Sequence, residues 1–197
     1  MTTASSSGAD APIRVLGLSG SLRKGSFNTA LLNAAVELAP EGMKVEPFDL
    51  SEIPMYNDDV RVAGYPESVA ALRAAMTEAD AIIMSSPEYN RSVPALLKNA
   101  IDWASRPPSQ PFDGKPVAIM GASRGALGAA FANHHLRQIL VVLNGVVLAG
   151  PEVMVGGSAD KFDEAGRLIH EPTREFLAAH LKRLAALVRT HRAHVPG

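Results

Sequence analysis

The chain contains no cysteine. That absence removes disulfides, thiol nucleophiles and thiolate metal sites together, and it is compatible with a cytoplasmic location. Excess charge is also missing. A formal net charge of −1 argues against a nucleic-acid binder that works by broad charge neutralisation, and against a strongly acidic docking protein. No apolar run approaches the ~20 residues needed to span a bilayer. The stretch Met1–Ala11 is rich in Ser, Thr, Ala and Gly. Without a basic start or an apolar core it is not a signal peptide, and it reads as a disordered tail. No Ser–His–Asp pattern or nucleophile elbow supports hydrolase chemistry. No internal repeat and no second-domain boundary appears, so residues 12–192 read as one domain, with 193–197 a flexible C-terminus.

What is present is an alternation of short apolar runs with longer amphipathic segments. Strands are predicted at Ile13–Ser19, Met43–Asp49, Ala81–Ser86, Pro116–Gly121 and Val146–Val155. Several are apolar throughout, as expected of parallel strands covered on both faces. Helices are predicted at Asn28–Ala39, Pro66–Ala79, Val93–Ser105 and Ala126–Leu143, with a last one near Thr173–Thr190. In that last helix Leu177, Leu181, Leu184 and Val188 share one face, with Phe176 at its edge. Strict β–α alternation implies an α/β three-layer sandwich around a five-stranded parallel sheet. Two topologies remain open, the dinucleotide-binding one and the flavodoxin-like one. Leu50–Gly64 and Arg106–Pro116 read as long surface connections.

Ligands of open α/β sheets bind beyond the carboxyl ends of the strands, and three of those ends carry unusual sequences. The first is Ser19-Gly20-Ser21-Leu22-Arg23-Lys24-Gly25-Ser26-Phe27-Asn28, a polar turn between a buried strand and a helix start. Backbone N–H groups and the positive end of the helix dipole converge there, joined by hydroxyl, amide and cationic donors, an arrangement that binds phosphate. A serine-capped helix start is the plainer alternative. The second is Ser85-Ser86-Pro87-Glu88-Tyr89-Asn90-Arg91-Ser92-Val93-Pro94. Pro94 suits the first turn of a helix with Ser92 as its cap. A stiff loop presenting Tyr89 and Asn90 suits a planar heteroaromatic ligand, although a Pro-rich turn covered by its own Tyr would look the same. The third is Gly121-Ala122-Ser123-Arg124-Gly125-Ala126-Leu127-Gly128, whose small residues let backbone approach a ligand.

The Rossmann fingerprint G-x-G-x-x-G is absent, because Ser19 and Leu22 stand where it requires glycine. Asp49 ends the second strand, where a ribose-binding acid would sit, but a lone acid there is more often a solvated turn residue. A donor-rich turn with little glycine fits a terminal monophosphate better than a bridging pyrophosphate. His134 and His135 are helical neighbours pointing about 100° apart, so they cannot chelate one metal well, and no metal site is expected. Asp58-Asp59 reads as a solvated loop pair, and Trp103 as a packing residue.

Four segments, taken in order, carry a resemblance. They are Gly20–Asn28, Pro87-Glu88-Tyr89-Asn90 with Ser92-Val93-Pro94, Leu97–Trp103 and Leu136-Arg137-Gln138-Ile139-Leu140. Over roughly Ile13 to Val188 the chain resembles the NADPH-dependent FMN reductase family, in particular its bacterial soluble quinone and chromate reductases. The resemblance implies a flavodoxin-like strand order 2-1-3-4-5, bound FMN, NADPH or NADH as electron donor, and a homodimer that often pairs into a homotetramer. It implies that Ser21, Arg23, Ser26, Phe27 and Asn28, with Ser19 beside them, hold the FMN phosphate and ribityl chain. Pro87, Glu88, Tyr89, Asn90 and Arg91 would line one edge of the flavin, and Ser123 the other. Two positions depart from the family pattern: Arg91 adds a cation at a variable position, and Ala129 replaces the second of a common glycine pair.

The implied activity is reduction of quinones, flavins, or chromate, azo or nitro compounds by ping-pong hydride transfer, with no catalytic side chain because the cofactor carries the chemistry. A flavodoxin-type electron carrier that does not react with pyridine nucleotide is the rival from another class, and a flavin-free interaction module a third.

Overall fold

The computed structural model of the chain describes residues 11–194. The expected tail, apart from Ala11, and residues 195–197 lie outside the described residues.

A parallel sheet forms the middle layer. Its strands β1 (Ile13–Ser19), β2 (Met43–Phe48), β3 (Ala81–Ser85), β4 (Pro116–Ala122) and β5 (Val146–Val147) run in the order β2-β1-β3-β4-β5. This is the flavodoxin-like alternative of the two left open. Successive side chains point to opposite faces. Ile13 and Val15 therefore enter one apolar core, and Leu16 and Leu18 the other. Helices α1 (Phe27–Glu37) and α6 (Glu171–His194) cover the first face, while α3 (Glu67–Glu78), α4 (Ala95–Ala104) and α5 (Ala130–Val142) cover the second. In α6, Leu177, Leu181, Leu184 and Val188 are all buried while Phe176 stays partly exposed, as their spacing requires. That helix runs on through His194, into the segment expected to be flexible.

The fifth strand differs from expectation. The single strand expected over Val146–Val155 is two short ones, β5 and β6 (Val153–Val155), each paired with β4. Pro151, in the interruption, has no N–H to give a ladder. The freed carbonyls are taken by arginines from helices on opposite faces: Arg137 of α5 donates to Leu148 O at 3.2 Å, and Arg183 of α6 to Ala149 O at 2.6 Å and to Gly150 O.

A further helix, α2 (Asp58–Ala63), lies inside the segment expected to be a plain connection. None of its residues is buried, so no apolar period marks it. Asn57 caps it, and Asp58 pairs with Arg61 at 2.6 Å. Hydrogen bonds from Arg61 and from the Tyr56 hydroxyl push the Asp58 carboxyl down to about 2. Trp103 packs as expected, fully buried, with its indole N–H donating to Pro54 O at 2.8 Å.

Candidate functional site: a cleft at the strand ends

The carboxyl ends of β1, β3 and β4 meet because their ladders are in register. Gly20 N donates to Ser85 O at 2.9 Å, Ser86 N to Met120 O at 2.9 Å, and Ser123 N to Val155 O at 3.0 Å. The three loops singled out in the sequence therefore open into one cleft of about 460 Å³. Its first wall is Ser21, Arg23, Ser26, Phe27 and Asn28; its second is Pro87, Glu88 and Tyr89; its third is Ala122, Ser123 and Arg124.

The first wall is a helix N-terminus dressed with donors. Ser26 is the N-cap of α1, and its hydroxyl oxygen accepts from Asn28 N at 3.2 Å and Thr29 N at 3.4 Å. With the oxygen occupied as an acceptor, the hydroxyl hydrogen is left to donate into the cleft. The guanidinium of Arg23 lies 5.8 Å from the Phe27 ring centre and that of Arg124 5.4 Å, so two cations gather at Phe27. Gly20 is required for close approach: a Cβ there would meet Pro87 Cδ and Pro94 Cγ, both at 2.9 Å.

Asn28 lines the cleft and also has a structural task. Its side-chain amide donates to Ala122 O at 3.0 Å and accepts from Ala122 N at 2.9 Å. Its own carbonyl accepts from Ser85 Oγ at 2.8 Å. One N–H and one lone pair of the amide are committed to Ala122, and together with the backbone bond from Ser85 they tie the turn to the ends of β3 and β4 while Asn28 still lines the cleft.

The second wall is braced against α5. The Glu88 carboxylate accepts from Phe131 N at 2.8 Å and Ala132 N at 3.2 Å, neutralising two of the unpaired donors at that helix start. Tyr89 stands half-exposed on the cleft. Asn90 and Arg91 do not line the cleft but form the tip of the turn beside it. Ser92 does not cap α4, which begins after Pro94 without a side-chain cap; its hydroxyl lies 3.0 Å from His135 Nδ1.

Ser19 also points away from the cleft. Its hydroxyl lies 2.9 Å from Thr29 Oγ1, and it lines a neighbouring groove with Leu22, Phe48 and Asp49. Asp49 itself accepts from the amide and hydroxyl of Ser51, both at 2.9 Å, the solvated-turn reading of that acid. Ala122 and Arg124 line the cleft as well, beside the Ser123 expected there. Both stand in the third loop, where the small residues drew notice and the cation did not.

A cleft between the β1 and β4 strand ends, with a helix N-terminus and cations at one end and a tyrosine-bearing loop at the other, defines a mononucleotide-binding α/β protein. The family model for NADPH-dependent FMN reductase matches residues 13–160, and the chain belongs to that family. It is 51% identical over 177 residues to an NAD(P)H-dependent FMN reductase of Pseudomonas aeruginosa, covering 90% of this chain and 96% of that protein. It is 44% identical over 172 residues to a quinone reductase of Escherichia coli, covering 86% and 92%. Among solved structures, the flavoenzyme NAD(P)H:acceptor oxidoreductase FerB of Paracoccus denitrificans superposes with a TM-score of 0.83 at 36% identity, covering 91% of this chain and 98% of that one.

Proposed function

We infer that the protein is an FMN-dependent NAD(P)H oxidoreductase that reduces quinones or flavins. The observation that carries the reading is the convergence of three strand-end loops on one cleft whose phosphate-type donors sit at a single end. The residues present fit FMN. Ser26 has a hydroxyl hydrogen to give, and Arg23 and Arg124 have no carboxylate partner among the described residues. A single phosphate on a long planar group matches a cleft whose cations, Arg23 and Arg124, gather around Phe27.

When bound, FMN supplies the hydride-accepting and electron-donating chemistry. The chain does the rest. Arg23, Ser21, Ser26 and the α1 N-terminus bind the phosphate by charge-assisted hydrogen bonds. Arg124, which like Arg23 lies close to the Phe27 ring, adds the second cation. Pro87, Tyr89 and Ser123 border the planar group, and Glu88 fixes their loop by holding α5. Asn28 acts by position, joining all three walls. One open face then serves both electron donor and acceptor, so the two bind in turn and initial-rate plots with a quinone run parallel.

Quinones, free flavin, chromate, azo and nitro compounds all fit an acceptor site built for stacking. A homodimer or homotetramer is proposed, supported by the exposed Val141 and Val142 on α5 beside Leu136 and Leu140, which the core claims. A cytoplasmic location is consistent with the lack, among the described residues, of any helix long and apolar enough to cross a membrane.

The deciding experiment mixes the FMN-loaded protein with NADPH without oxygen and follows the flavin absorbance. Bleaching, restored by added quinone, is expected. Persistent yellow colour would make the protein an electron carrier.

A further inference from the structure

The turn Tyr89-Asn90-Arg91-Ser92 is a two-residue hairpin. Tyr89 N donates to Ser92 O at 3.2 Å and Ser92 N to Tyr89 O at 3.0 Å, with φ of 50° at Asn90 and 64° at Arg91. Positive φ at both central residues is the type I′ turn, whose favoured pair is Asn-Gly. Asn90 conforms, but arginine occupies the position that favours glycine. An unrelieved non-glycine residue in the left-handed region points to a task for its side chain.

That side chain is placed with care. The Arg91 guanidinium lies 4.8 Å from the Phe131 ring centre, a cation–π stack. Phe131 is itself fixed, since its backbone N–H is held by Glu88, and the far side of the turn is held by Ser92 on His135. Arg91 has no ion pair or hydrogen-bonded partner among the described residues, and it is exposed. Glu88, the carboxylate of the same loop, turns one oxygen to two amides of α5 and makes no ion pair with Arg91 among the described residues. The cations assigned to the cofactor phosphate, Arg23 and Arg124, flank Phe27 on other walls. Arg91 is thus a third, separate cation, two residues from the tyrosine that borders the cleft.

We propose that Arg91, stacked on Phe131, is a specificity-determining residue that receives an anionic oxygen group of the second ligand, the one that comes to the open face of the cofactor. The planar fork of arginine binds a phosphoryl or sulfonate group in two-pronged fashion, and the aromatic support holds it ready. The anion can come from either partner in the reaction: the ribose phosphate that distinguishes NADPH from NADH, or an acidic group on the acceptor.

Arg91→Gly is the appropriate variant, because glycine is the residue the turn favours and the fold is kept. Two ratios of kcat/KM are compared with wild type, per bound flavin: NADPH over NADH, and a sulfonated naphthoquinone over the unsubstituted one. Calorimetric Kd values for NADP+ and NAD+ add a readout independent of turnover. At least one ratio is expected to fall by about fivefold or more, the loss of a charge-assisted contact. A fall in the nucleotide ratio, matched by weaker NADP+ binding, assigns the anion to the donor; a fall in the quinone ratio assigns it to the acceptor. Arg91→Lys, which keeps charge without the fork, is expected to restore part of the ratio that fell. Both ratios within about twofold of wild type would overturn the proposal. The inference rests on the cleft being the flavin site, and FMN titration of the Arg23→Ala/Ser26→Ala protein tests that premise separately.

Discussion

The side chain of Asn28 and the backbone of Ala122 exchange two hydrogen bonds, 3.0 and 2.9 Å long, across 94 residues of sequence. The amide imitates one rung of a β-ladder, so the end of β4 is completed by the start of α1. Both residues are buried, and loss of the pairing strands two backbone groups away from water. Asn28→Ala is expected to lower stability by about 2–4 kcal/mol, measured by urea denaturation without FMN. It is expected to weaken FMN as well, because the pairing holds the walls of the cleft together. Unchanged stability would mean that Ala122 finds other partners.

Arg23→Ala with Ser26→Ala removes a cation and a hydroxyl donor from the phosphate end of the cleft. Charge-assisted hydrogen bonds are worth roughly 1.5–3 kcal/mol each. The FMN Kd is therefore expected to rise about a hundredfold or more, followed by quenching of flavin fluorescence. Ser26→Ala alone also strips the α1 cap, so part of its effect will show as a lower Tm in the FMN-free protein. An unchanged Kd would remove this turn from the cofactor site.

Gly128 has a φ of 58°, and a Cβ there would lie 2.4 Å from the Met154 carbonyl carbon. Left-handed backbone and a clash with a fixed strand act together, so Gly128→Ala is expected to cost about 2–4 kcal/mol. Its neighbour Ala129, at φ 70°, already carries a methyl group. That methyl stands where a Cβ on Gly121 would come, at 2.8 Å, so the departure from a glycine pair is absorbed by Gly121. Thermal melts of the two variants should differ accordingly, with Ala129→Gly near wild type.

His180 is buried in α6 at 3% exposure. Burial, then the neighbouring Arg183 guanidinium, push its pKa down to about 4 against an opposing pull from the Pro151 carbonyl, with a smaller push from Arg137. Its unfolded value is near 6.5. Between those values the unfolded chain binds the extra proton, so stability rises with pH across the window. The contribution is complete above about 6.5 and is lost as pH falls toward 4, to a total of about 3 kcal/mol. Denaturant midpoints of wild type and His180→Phe at neutral pH and near pH 5 should diverge, the variant having the flatter profile.

Most of the architecture was legible because burial writes itself into period. The largely apolar stretches expected as strands at Ile13–Ser19 and Ala81–Ser86, the first broken by Arg14, and the stripe Leu177-Leu181-Leu184-Val188 leave little choice. Where an element buries nothing, as in α2, no such mark exists. The break at Leu148–Glu152 was hidden for another reason: Pro151 marks it, but the arginines that make it tolerable lie 11 residues before and 33 after the carbonyls they hold. At the site, residue type revealed the donors but not their obligations. Asn28, Ser19 and Ser92 are all polar and close to the cleft, yet each spends its side chain on the protein. Only the folded partners reveal that.

The interrupted fifth strand has a bearing on solubility. An uninterrupted strand at this margin would offer a foreign chain a long row of free amides and carbonyls on which to add. Here the row is broken by a residue with no amide hydrogen, and the carbonyls of the break, Leu148, Ala149 and Gly150, are taken by Arg137 and Arg183. The margin is thereby made a poor template for growth. Arg137→Ala with Arg183→Ala would expose it, and the expected penalty is a concentration-dependent tendency to aggregate as well as a lower Tm.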